Sequence, residues 1–283
     1  METTVNNLAI KRKRAKRIKR VVFYVVLILI LFIFLFPFVW MVIASFKTNA
    51  QITNPRKVFS FDFTLLNYQK VFSRYNFFKP ILNSLIIAVA STILGLVLGL
   101  PASYAIARMN ARKTSVIILI IRFIPGIAFL LPWYIFFSKL GIADTHLALI
   151  LCHLLINIPF IVWVMIPYFE AIPKDLDEAA KIDGAYTWQI FMRVLLPLSG
   201  PGIVTTSLLS FIFSWNNFVF SLVLAGGKTK TLALSLYSFI TYATIDWGAL
   251  MAASIIITLP ILLISLLTQK YIIQGLTAGA VKG

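Results

Sequence analysis

The chain has 283 residues, 60% of them apolar and 12% charged, with a mean hydropathy of +0.93. Soluble domains carry about 45–50% apolar and about 25% charged residues, so a water-soluble globule is excluded and the bilayer is the main solvent. A net charge of +17 does not indicate a nucleic-acid binder, because the basic residues stand between apolar stretches rather than on one soluble face.

Residues 1–20 form a basic tail, in which Lys11 to Arg20 contribute eight positive charges. The apolar run that follows, 21–43, exceeds the 7–15 residues of a signal-peptide core, so it is expected to be an uncleaved anchor. A helix needs about 20 apolar residues to cross roughly 30 Å of hydrocarbon. Five further stretches meet that requirement: 81–107, 114–137, 147–168, 199–224 and 248–269. Each must be helical, because hydrocarbon offers the backbone no partners. The chain therefore reads as an all-α polytopic membrane protein, with six transmembrane helices within 21–270 and a tail at 271–283. Six spans place both termini on one side. Sixteen Lys and Arg fall on the side of the N-terminal tail and nine on the other, with Arg122 inside a span, so both termini are expected to be cytoplasmic.

Between the first two spans, Thr64 precedes Leu65, Tyr68 and Phe72 at helical spacing and suits an N-cap. This segment reads as a surface helix or as a docking surface for an external partner. The second span opens on Asn83 and Ser84, expected at the membrane interface. Arg122 in the third either snorkels toward the basic side or lines a path. The fourth holds Cys152, a quiet buried thiol, and His153 and Asn157, four apart on one helix face. In the fifth, Ser210, Ser214, Asn216 and Asn217 accompany Trp215. Amides beside an aromatic ring suit sugar recognition, and the same groups also suit hydrogen bonds between helices. Ser214, Trp215, Asn216, Asn217 and Asn157 are thus the candidates for a substrate pathway. Pro101, Pro125, Pro132, Pro159 and Pro260 interrupt the apolar stretches.

The loop at 169–198 carries five of the nine acidic residues. Pro173 suits a first helical turn, Asp175, Asp177 and Glu178 favour the positive end of the helix dipole, and Gly184 can adopt the left-handed conformation that ends a helix. A second helix is expected from Thr187, with Trp188, Phe191 and Leu195 on one face, ending at Pro197. Ala179 and Ala180 give the first helix a small-residue face that permits close approach by another surface.

The segment Glu178-Ala-Ala-Lys-Ile-Asp-Gly184, followed by nine residues and Val194-Leu-Leu-Pro197, resembles the signature loop of binding-protein-dependent ABC importers. The spacing matches throughout, and only Val194 departs from the family's Ile. The ending, Gly275 to Gly283, is similar to the tail of the smaller permease of maltose-type carbohydrate importers. The resemblance implies the ABC type I importer permease fold and a coupling loop that seats on an ATPase. Within the loop it implies that Glu178 is a charged anchor, that Ala179 and Ala180 let the helix sit deep, and that Gly184 makes the turn, with Asp183, Leu196 and Pro197 in the same motif. Gly275, Leu276 and Thr277 would contact the ATPase from the tail. The partners implied are a second related permease, two ATPase subunits that bind ATP and Mg, and an extracytoplasmic solute-binding protein, in addition to membrane lipid. No cofactor is expected in this chain, no nucleic acid as partner, and no enzymatic activity of its own.

Ala225-Gly-Gly-Lys-Thr229 imitates a P-loop, but the first glycine of that motif would fall on Leu222. His146 and His153 make neither a metal cluster nor a catalytic dyad. Two rivals remain for the function as a whole. An importer permease for a non-sugar solute would keep the same loop. A secondary carrier would need intramembrane carboxylates, which the spans lack.

Overall fold

Helix α1 runs unbroken from Glu2 to Ser45, so at 1.5 Å per residue it is about 66 Å long, twice the hydrocarbon thickness. The remaining principal helices of the computed structural model are α2 (Leu66–Ser73), α3 (Phe78–Arg108), α4 (Arg112–Phe123), α5 (Leu130–Lys139), α6 (His146–Ala171), α7 (Asp175–Ile182), α8 (Thr187–Leu198), α9 (Gly200–Trp215), α10 (Val219–Leu224) and α11 (Trp247–Ala278). Residues 2–58, 62–242 and 244–278 are described. Among them there is no β-strand, only an isolated bridge between Ile240 and Ile245.

Among the described residues, four helices are long and apolar enough to span a bilayer: Lys16–Ser45, Phe78–Arg108, His146–Ala171 and Trp247–Lys270. Two bent pairs bring the number to six if each pair is one span. Continuity therefore differs from the sequence expectation at two places. The stretch expected at 114–137 is broken between Phe123 and Gly126, where the axis turns by 80°. Pro125 causes the break: it removes a backbone donor and holds Ile124 in an extended conformation (φ −68°, ψ 121°). The stretch expected at 199–224 stops at Trp215, and α10 is a separate short helix. Upstream, α8 meets α9 at 81° across Ser199, with Gly200 and Pro201 opening the new helix. Pro101, Pro159 and Pro260, by contrast, lie inside continuous helices, and Pro132 falls in the first turn of α5, where its lost donor costs nothing.

The chain divides into two compact units, residues 1–68 with 246–255, and residues 69–245 with 256–283. In the first, Asn67 donates to the carbonyls of Ser45 and Lys47, both at 2.7 Å, and closes the turn that ends α1. Gly248 must be glycine there, since a Cβ would stand 2.5 Å from Asn67 Oδ1. Lys47 is fully buried and donates to the carbonyls of Lys57 and Val58. At the start of α2, the Thr64 hydroxyl accepts from the Leu66 amide, as its position in the sequence suggests.

The second unit is built on the pairing of α3 with α6. A small residue recurs every fourth position of α3, at Ser91, Gly95, Gly99 and Ser103, and all four are buried. That stripe admits Ile161 of α6 to within 2.9 Å of where a Cβ would stand on Gly95 and 2.7 Å on Gly99. Without a hydrophobic drive between helices in lipid, such close backbone approach is a main source of attraction. Phe160, Ile161, Met165 and Phe169 of α6 continue the core toward Ile190, Phe191 and Leu195 of α8.

Candidate functional site

Helix α7 begins just past Pro173, with Asp175, Asp177 and Glu178 in its first turn, where the aligned backbone amides favour negative charge. It ends on Gly184 at φ +85°, and the amides of Asp183 and Ala185 return to the carbonyls of Ala179 and Ala180. A Cβ on Gly184 would meet nothing within 4 Å, so its glycine is required by conformation and not by space. Adjacent positions on a helix point about 100° apart, and this separates two neighbouring carboxylates. Asp177 is buried and Glu178 is exposed, with no partner for its side chain among the described residues. Ala179, Ile182, Asp183 and Gly184 are also exposed, as is Tyr186 at the start of α8; Ile182 and Tyr186 are 87% and 62% exposed. The surface therefore combines an unpaired carboxylate with bare apolar groups.

Asp177 receives two hydrogen bonds from the fork of Arg108, Nε to Oδ2 at 2.7 Å and Nη2 to Oδ1 at 3.0 Å. Nothing in the sequence relates these two residues, which are 69 positions apart. In α8 the buried residues are Ile190, Phe191 and Leu195, while Trp188 stays 54% exposed against the ring of Phe191. A π turn over Phe191–Leu195 brings Ile190 and Leu195, five positions apart, onto the buried face together, and Trp188, in the α-helical turn before it, lies off that face. Leu196 is half-buried and Pro197 exposed at the end of this helix.

Deep in the second unit, Ser214 of α9 accepts from Asn157 Nδ2 of α6 at 2.9 Å and from Ser91 Oγ of α3 at 3.0 Å. Ser214 and Asn157 therefore meet, and Ser91, missed in the sequence, completes the group at the head of the small-residue stripe. Trp215 is buried, donates to the Ile257 carbonyl at 3.1 Å and stacks on Phe211. Asn217 spends its side-chain oxygen on the Phe220 amide, capping α10, and Asn216 alone of this group is exposed. Ser210 and His153 are buried with no hydrogen-bond partner among the described residues. Arg122 stands at the break after α4, its guanidinium 4.7 Å from the Phe160 ring centre and 5.3 Å from that of Phe213. Gly275, Leu276 and Thr277 continue α11, and their side chains lie outside the described residues.

The loop after α10 explains the P-loop imitation. The amides of Gly226, Lys228 and Thr229 and the Thr229 hydroxyl all donate to the carboxylate of Asp144, at 2.6–3.1 Å. Asn83 donates to the carbonyls of Lys228 and Lys230 while its oxygen accepts from His146 Nε2 at 2.8 Å, and Ser84 accepts from the Leu232 amide. Burial alone would raise the Asp144 pKa, but the bonds from Thr229, Lys228 and Gly226 outweigh it and hold the group below its ordinary value. A carboxylate with a depressed folded pKa stabilises above its unfolded value, and that contribution is lost as pH falls through the folded one. The clamp is therefore expected to be intact at neutral pH and to loosen only in acid, below the usual carboxylate range. Asp144→Ala should release the 226–229 amides to hydrogen exchange at neutral pH, whereas protection equal to that of the unaltered chain would refute the clamp.

Residues 95–278 match the family described as the binding-protein-dependent transport system inner membrane component. The chain belongs to that family. This inner membrane component is 36% identical over 278 residues to the trehalose/maltose transport system permease protein MalG of Thermococcus litoralis, covering 95% of the chain and 99% of that protein. It is 34% identical over 259 residues to the diacetylchitobiose uptake system permease protein DasC of Streptomyces coelicolor, at 88% and 92% coverage. Among solved structures it resembles a bacterial ABC transporter involved in the import of the acidic polysaccharide alginate, with a TM-score of 0.76 at 23% identity, over 91% of this chain and 98% of the other. The MetNI methionine ABC transporter matches with a TM-score of 0.56 at 23% identity, over 69% and 94%. The fold is that of an ABC type I importer permease, a multi-pass component of the inner membrane.

Proposed function

We propose that this chain is one of two permease subunits of an ATP-driven importer of carbohydrate, and that α7 is the helix through which ATPase subunits drive it. The observation that carries the coupling role is the open surface of α7 and the turn after it, where Glu178 has no partner among the described residues and Ile182 and Tyr186 are exposed. Monomeric surfaces rarely leave such groups together, and a partner groove that accepts them supplies both the missing charge and the apolar contact. Leu196 and Pro197 fix the far end of the loop, and Gly275, Leu276 and Thr277 would approach the same ATPases. Both termini and α7 then lie in the cytoplasm, with the Asp144 clamp on the outer side, where a solute-binding protein delivers its ligand. ATP and Mg are bound by the ATPases, and this chain performs no chemistry.

The carbohydrate assignment rests on relatives whose names specify trehalose, maltose and diacetylchitobiose. A hydroxyl-rich solute is accommodated by amides and hydroxyls that accept and donate at once. Asn216, exposed at the end of α9, is the group proposed to meet solute, on a helix end positioned by Ser214, Asn157, Trp215 and Asn217.

The test is reconstitution of the chain in proteoliposomes with its second permease, its ATPases and its binding protein. ATP hydrolysis should rise when the binding protein is loaded with an oligosaccharide, and labelled sugar should accumulate inside. Stimulation by a peptide or amino acid in place of sugar would leave the importer and overturn the substrate. Uptake by the chain alone on an ion gradient would overturn both.

A further inference from the structure

Arg108 is the last residue of α3, and its guanidinium donates to two other elements, α7 and the C-terminal end of α6. Nε and Nη2 hold Asp177 of α7 as a bidentate pair, with the two side chains only 12% and 10% exposed. Nη1 donates to the carbonyls of Phe169 and Ile172, each at 3.0 Å, two groups that the end of α6 leaves unsatisfied. One turn earlier on α3, the Tyr104 ring stacks on Phe191 of α8 at 5.4 Å and meets Phe169 edge-on at 6.0 Å. Four helices thus converge on one guanidinium and one phenol ring. Planar, two-pronged contacts of this kind fix orientation as well as distance, which a lysine point charge does not.

We propose that Arg108 is the positioning residue that carries movement of α7 into the membrane, by locking that helix to the ends of α3 and α6 at once. The proposal rests on α7 being the ATPase-docking helix. Its covalent link to α6 runs through the short segment 172–174, which alone constrains distance but little orientation. With Arg108 in place, a push on the exposed face of α7 turns α3, whose small-residue stripe keeps it seated on α6. The ends of both spans then move with the loop helix as one body.

The experiment uses the complete transporter in proteoliposomes and reads sugar imported per ATP hydrolysed. Arg108→Ala should lower that ratio at least about twenty-fivefold, the scale of losing one partner of a buried, hydrogen-bonded charge pair. Arg108→Lys, which keeps the charge and loses the fork, should fall between. A merely structural role would lower the amount of assembled transporter and leave the ratio alone, and that result would overturn the proposal. Should Arg108→Ala fail to assemble, a mechanical rescue decides. The chain has a single cysteine, so Cys152→Ala with Arg108→Cys and Asp177→Cys gives a defined pair. Bridging that pair with a short bis-maleimide, which adds each thiol across one of its double bonds, should restore the ratio that the unbridged pair lacks, and no gain on bridging would sink the idea. If Glu178→Lys abolishes uptake and Arg108→Ala keeps the full ratio, only this inference fails. If Glu178→Lys is itself harmless, the docking role of α7 fails first.

Discussion

Uptake through a transporter carrying Glu178→Lys is expected to fall at least about twenty-fivefold, while the permease still inserts and folds. The side chain has no partner among the described residues, so its replacement breaks no described contact and costs the fold only its favourable place in the first turn of α7. Its neighbour Asp177 keeps the bond to Arg108, and Gly184 keeps its turn. On the proposed docking role, what changes is the charge that α7 offers to the ATPase. Losing one side of a desolvated charge pair costs about 2–5 kcal/mol, and the lower figure alone sets the expected factor. Glu178→Gln, which retains length and hydrogen bonding, should lose less. The measurement is sugar uptake beside ATPase copurification, and normal uptake in the Lys variant would remove the docking role from α7.

Gly99→Leu is expected to damage the membrane domain itself. A Cβ at this position already stands 2.7 Å from Ile161 Cγ2 and 3.1 Å from its Cβ, so α3 and α6 must separate to admit a larger side chain. Overpacking of this kind costs about 1–3 kcal/mol, and more where backbone must shift. It should appear as a lower thermal unfolding midpoint of the solubilised complex. Ile161→Ala in the same chain should recover part of the loss, because it removes the atoms that collide. A variant that melts with the parent protein would show that the two helices do not need their close approach.

What could be read from the sequence was whatever local chemistry decides. The Gly184 turn, the acidic first turn of α7 and the Thr64 cap depend on residues within a few positions of one another, and each stands where its chemistry requires. Pro125 was visible as a proline, but other prolines lie within unbroken helices, and only surrounding structure decides between a kink and a break. The stripe from Ser91 to Ser103 was present in the letters and hidden by the apolar run around it. Arg108 with Asp177, and Ser91 with Ser214 and Asn157, were out of reach for another reason. Their partners lie 57–123 residues apart, and a single sequence carries no signal for pairings made by the tertiary fold. Arg108 counted only toward the topology bias, and Asp177 only toward a helix dipole. The amides of 226–229 looked like a phosphate cradle because backbone N–H groups in a tight turn attract any anion, here the carboxylate of Asp144.

The π turn at Phe191–Leu195 gives the fixed distance between Gly184 and Val194 a geometric meaning. An α-helix advances about 100° per residue, so each residue added or removed there would turn the two ends of the segment against each other by more than a quarter circle. The widened turn absorbs one residue's worth of that angle without breaking the helix. The spacing thus acts as a phase setting, like the keying of a shaft. It decides which side of α7 faces away from the membrane domain when Ile190, Phe191 and Leu195 are seated within it.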